Sequence, residues 1–181
     1  MSAYTIPGLT EDDSRSIAAV LQERLSAYND LHLTLKHVHW NVVGPQFVAV
    51  HEMLDPQVDE VRGYAAEVAE RIAALGVAPV GTPGQLIKDR SWEDYSLNRD
   101  TVPAHLAALD LVYVNLIRDL RNAIASVGKL DPVTEDMLIG QAAGLEKFHW
   151  FIRAHLENAA GSLISEGSSS EGEAAEKARD L

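Results

Sequence analysis

The strongest constraint in this chain is a long apolar stripe at helical spacing. Ile17, Val20, Leu21, Leu25, Tyr28, Leu31, Leu35 and Val38 recur with the 3.6-residue period of a helix that buries one side. A helix this long with one apolar face must lie against other helices. Thr10 opens it, and Glu11, Asp12 and Asp13 complement the positive end of its dipole. Gly44-Pro45 ends it, and a second long helix is expected over about residues 47–75, stopped by Gly76 as a C-terminal cap with Pro79 shortly after. So short a connection makes the two helices antiparallel neighbours. Residues 77–99, with Pro79, Gly81, Pro83 and Gly84, read as a crossover holding one short helix near 85–88. A long crossover sets the second and third long helices parallel, the third over about 101–127. Asp131-Pro132 is a good N-cap and N1 pair for a fourth helix to about residue 163. The expectation is an all-α four-helix bundle over residues 11–163, with an extended arm at 1–10 and a polar, disordered tail at 164–181.

Composition narrows the chemistry. The chain has 181 residues, 46% of them apolar, no cysteine, and a net charge of −12. Thiolate zinc and iron sites, disulfides and Cys nucleophiles are therefore excluded, leaving His, Asp and Glu as the strong metal ligands. Charges break every apolar stretch before it reaches membrane-spanning length, and the start, MSAYTIPGLTEDD, lacks the basic and apolar regions of a signal peptide. A cytoplasmic protein is expected. A pI near 4.9 disfavours a general phosphate-binding surface and suits a protein that draws cations into an acidic cavity.

His39, His51, Asp55 and Glu70 carry the candidate chemistry. On one continuous helix His51 and Glu70 sit roughly 28 Å apart and cannot share an ion. If two copies pack this helix antiparallel about a two-fold axis between positions 60 and 61, His51 meets Glu70 of the partner and Asp55 meets residue 66. Such a self-complementary surface is what a two-fold interface requires. His51 and Asp55, four apart, share one face, and the short hairpin brings His39 beside them. His37 lies about 200° around the helix from His39 and faces elsewhere. His32, one heptad before His39 on the same face, is expected to support the site. Trp40, next to a ligand, is read either as an electron donor that quenches stray radicals or as an aromatic packed at the dimer interface. Glu146-x-x-His149 has the spacing of di-iron carboxylate bundles, but only one copy exists, so it is expected to be a surface or interface feature. His105 and His155 read as structural.

The run HWNVVGPQFVAVHEMLD, followed after twelve residues by VAERIAALG, resembles the Dps family of ferritin-like mini-ferritins, and the order of elements does so over the whole chain. The resemblance implies a ferritin-like bundle assembled as a dodecameric shell that oxidises Fe(II) at dimer interfaces and stores Fe(III) mineral in its cavity. It carries over His39, His51, Asp55 and Glu70 as ferroxidase ligands. The acidic residue the pattern expects four before Glu70 is Ala66 here, and Glu67, 100° further round the helix, is the imperfect substitute. Many members of this family compact DNA through lysine-rich termini. Here residues 1–13 have no Lys or Arg, and the tail sets Glu166, Glu171, Glu173, Glu176 and Asp180 against Lys177 and Arg179. Such a tail gains nothing from counterion release, so direct DNA binding is expected to be weak or absent unless divalent ions or many tails together bridge it.

Overall fold

The computed structural model describes residues 6–179 and 181. Four long helices form the bundle: α1 (Glu11–Asn41), α2 (Phe47–Ala74), α4 (Val102–Val127) and α5 (Pro132–Leu156). Two short helices accompany them, α3 (Pro83–Asp89) in the crossover and α6 (Glu171–Ala178) in the tail. Three of the four long helices, all but α2, begin at a capping side chain. Thr10 Oγ1 accepts from the Asp13 N–H at 3.1 Å, and Asp131 accepts from the N–H groups of Val133 and Thr134, both at 3.2 Å. Gly44 turns the chain between α1 and α2 at φ 118°, and Gly76 caps the end of α2 at φ 81°, both left-handed conformations that glycine adopts without steric cost. Helix α2 runs through Pro56, whose missing N–H withdraws one internal bond on the exposed side.

Helices α1 and α2 pair along their length, as do α4 and α5. Their apolar stripes meet in one core that includes Leu21, Tyr28, Leu35, Leu54, Val61, Leu109, Tyr113, Leu138 and Leu145. A two-residue parallel ribbon ties the pairs together, β1 (Val42–Val43) against β2 (Asp100–Thr101). Because β1 leads into α2 and β2 into α4, those two helices start at the same end, and the crossover carries the chain back to it. Gly144 lets the pairs close: a side chain there would collide with the Tyr64 hydroxyl, which itself donates to Glu60 at 2.6 Å.

Three expectations are corrected. The fourth helix stops at Leu156, because Asn158 accepts from the N–H groups of Ala160 (2.8 Å) and Ser162 (3.2 Å) and Gly161 takes φ 85°. Leu163, expected to end that helix, and Ile164, expected to begin the tail, instead fold back against the core. The tail is not wholly disordered. Helix α6 is capped by Ser170 and packs Ala174, Ala175 and Ala178 on α4, and its two cations are paired, Lys177 with Glu173 (3.2 Å) and Arg179 with Asp100 (2.9 Å). Residues 1–5 of the arm and Asp180 lie outside the described residues. The described part of the arm is a turn, Leu9 N–H donating to the Ile6 carbonyl at 3.1 Å, with both side chains resting on the core.

Candidate metal centre

The antiparallel crossing of α1 and α2 brings His39 and His51 together at their shared end. Each imidazole is held by the other residue's backbone: His39 Nδ1 lies 2.9 Å from the His51 carbonyl, and His51 Nδ1 lies 2.9 Å from the His39 carbonyl. A carbonyl only accepts, so both rings carry their proton on Nδ1 and keep the Nε2 lone pair for a metal ion. This is how ligating histidines are commonly oriented. The rings stack with centroids 3.5 Å apart, and Phe47 packs on His51 at 4.9 Å. His39 is 6% exposed while His51 is half-buried, so the pair is fixed from behind and open in front.

Asp55 stands beside the pair, Oδ1 3.3 Å from His39 Nδ1 and 2.8 Å from Lys36 Nζ. The hydrogen bond from Lys36, together with the charge of that ammonium, holds its carboxyl below the usual carboxylate range. Lys36 also lies 5.9 Å from the Trp40 ring. The sequence signal for its part is its place three residues before His39 and four before Trp40, one turn of α1 away from both. Glu70, on the same helix as His51, is exposed and far from it. Among the described residues no three His, Asp or Glu side chains of one chain converge to hold a metal ion. His39, His51 and Asp55 therefore lie together at one end of α2, and Glu70 lies apart from them.

Glu67 does not fill the gap left by Ala66. It accepts from Gln141 Nε2 at 3.0 Å, turned toward α5 of its own chain. Ala66 instead borders a hollow of about 320 Å³ with His32, Arg62, Ala65 and Ala69. Burial, followed by the nearby Arg62 charge, pushes the His32 pKa down, favouring the neutral ring. His32 thus lies at this hollow rather than behind His39.

The other candidates separate. His37 Nε2 meets the Leu97 carbonyl at 2.8 Å, on the crossover side. Glu146 pairs with Arg121 (2.8 Å), and His149 pairs with Asp110 (2.7 Å), so the Glu-x-x-His spacing does not converge. His105 is buried with Nδ1 3.0 Å from the Tyr95 hydroxyl, and His155 Nδ1 meets the Phe151 carbonyl at 2.7 Å. Around the histidine pair the surface is apolar: Trp40 is 71% exposed, Val48 60% and Phe47 37%. Among the described residues no helix is long and apolar enough to cross a membrane.

The ferritin-like domain family matches residues 18–161. The DNA protection during starvation protein of Mycolicibacterium smegmatis is 63% identical over 179 residues, covering 99% of this chain and 98% of the relative. This chain belongs to the Dps family of ferritin-like proteins. The solved Mycobacterium smegmatis Dps superposes with a TM-score of 0.92 at 63% identity, over 93% of this chain and 97% of that one. DpsA14 from Streptomyces coelicolor does so with a TM-score of 0.88 at 58% identity, over 89% and 96%. A Dps bundle is thus the setting in which the histidine pair and the alanine at position 66 must be understood.

Proposed function

We propose that this protein is a ferroxidase and iron store, in which Fe(II) is the substrate and is oxidised at sites shared by two chains. The observation that carries the reading is the reciprocal lock of His39 and His51, which leaves two Nε2 lone pairs presented at a surface with a carboxylate beside them. Imidazole and carboxylate together suit ferrous iron, and so few ligands leave positions for water or peroxide. The exposed Trp40, Phe47 and Val48 support burial of this surface by a second copy, since an apolar patch of that kind marks an interface. Antiparallel packing of α2 about a two-fold axis brings Glu70 of the partner to His51 and completes the ligand set.

Two ferrous ions supply the two electrons that reduce hydrogen peroxide to water, and no hydroxyl radical is released. Trp40, adjacent to His39, is placed to surrender an electron to any radical that escapes. Ferric ions then hydrolyse to oxyhydroxide inside a closed shell, for which a dodecamer is the assembly. Protection of DNA, named for the relatives, follows from removing iron and peroxide in the cytoplasm rather than from contact. The net charge of −12 and the pairing of Lys177 and Arg179 with acidic neighbours support that division.

Complementation between subunits tests the reading. His51→Ala and Glu70→Ala should each form shells that oxidise ferrous iron slowly. Shells reassembled from both variants contain dimers in which one chain supplies His51 and the other Glu70, so peroxide-dependent oxidation should return in part. If the mixture stays as slow as its parents, or either variant keeps the full rate, the shared site is wrong.

A further inference from the structure

A second site lies away from the histidine pair. Between α1 and α4, under crossover residues 91–96 and the start of α6, is a cavity of about 730 Å³, the size of a small-molecule site. Its walls are apolar where the two helices face each other, with Ala27, Leu31, Val112 and Leu116, and Trp92 stands at the rim. Arg24 also lines it. That side chain is 7% exposed, its Nε is shut off from solvent with no hydrogen-bond partner, and its contact with Glu23 is stretched to 4.0 Å, toward a carboxylate that is itself 73% exposed. A buried guanidinium without a close anion is costly, because the loss of its hydration is not repaid.

The cavity's own carboxylates do not repay it. Asp30 is held by Trp92 Nε1 at 2.8 Å and Arg90 Nε at 3.4 Å, and Glu171 by the Ser96 N–H at 2.8 Å and Oγ at 3.0 Å. Asp94 pairs with Arg90. Glu93 and Asp119 stand exposed at the mouth and give it a negative rim. That rim repels polyanions such as phosphates, whereas a single carboxylate on an apolar body passes it at small cost and then meets the guanidinium.

We propose that this cavity binds a small apolar monocarboxylate, its carboxylate on Arg24 and its hydrocarbon body along Leu31, Val112 and Leu116. Residues 169–172 line the same cavity, so the ligand bridges the bundle and the tail helix.

Titration calorimetry of the assembled protein with octanoate tests this. Saturable binding of one octanoate per chain is expected, weakened about 10–100-fold in Arg24→Gln through loss of a charge-assisted hydrogen bond. Leu116→Trp, which fills the cavity from the opposite wall and leaves Arg24 in place, should abolish it. Octyltrimethylammonium and inorganic phosphate should give no saturable heat. Absence of octanoate binding, equal affinity in either variant, or equal binding of the ammonium or of phosphate overturns the proposal.

Discussion

Restoring a carboxylate at position 66 is the perturbation from which most can be learned. Ala66 is exposed and borders the 320 Å³ hollow, so the two oxygens of Ala66→Asp have room without displacing the core. In the two-fold packing proposed above they face Asp55 of the partner, close to the ion held by His51 and Glu70. One competitor is Arg62, four residues earlier on α2 and lining the same hollow. An exposed pair at that spacing is worth about 0.3–0.5 kcal/mol, roughly a twofold effect. An auxiliary ligand or orienting group contributes about 10–100-fold to metal affinity, so the gain exceeds what Arg62 takes away. The natural protein is therefore expected to hold one ferrous ion firmly per site and a second weakly. Ala66→Asp should tighten the second by at least about fivefold after the Arg62 discount and speed peroxide-driven oxidation. Anaerobic ferrous titration of both proteins measures this, with Ala66→Asn as the uncharged control. Equal stoichiometry and equal affinity in wild type and Ala66→Asp would refute the reasoning and mean that water already fills the role.

Further outcomes are expected from the contacts around the site and the core. Lys36→Met frees Asp55 from its ammonium partner and should tighten ferrous binding severalfold at neutral pH; unchanged calorimetric affinity would show that Lys36 yields to the ion at no cost. Asp131→Ala removes the cap of α5 and the partner of Arg71 at 2.5 Å, so unfolding free energy should drop by about 3 kcal/mol in urea, while Asp131→Asn, which keeps the cap, should lose less. His105 is buried and burial lowers its pKa, so between the folded value and the ordinary 6.5 the unfolded chain binds the extra proton. Stability is then full above pH 6.5 and falls as the pH drops below it; melting curves should show that acid limb flattened in His105→Gln. Ala175→Glu places a charge where Ala175 is fully buried against Leu97, Ala104 and Ala108, and limited proteolysis should then cut the tail faster.

What was legible in the sequence follows from which forces act locally. The stripe from Ile17 to Val38, the stop at Gly44-Pro45 and the Asp131-Pro132 start are local, and α1, α2 and α5 begin where they indicate. Periodicity carries α5 on to about residue 163 because Leu163 continues an apolar pattern, whereas the turn at Asn158 depends on side-chain bonds that no periodicity reveals. The tail helix was passed over for the opposite reason. Its start is marked, with Ser170 accepting from the Glu173 N–H and Glu173 accepting from the Ser169 N–H, a pattern close to a capping box. Its buried side, however, is alanine alone, and small residues weigh little in a reading led by hydrophobicity although they let α6 lie close on α4.

The proposed metal centre divides along the same line. Spacing on α2 gives which residues can meet across a two-fold axis, and the face of α1 decides for His39 over His37. Spacing says nothing of the protons. The imidazole tautomers are set by two backbone carbonyls, and these reach the rings only because α1 and α2 cross in one register, residue 39 beside residue 51. A slip of one residue would rotate each ring by about 100° and remove both acceptors together. The turn at 42–46 and the β1–β2 ribbon, which hold that register, thus govern the geometry of the histidine pair without contributing an atom to it.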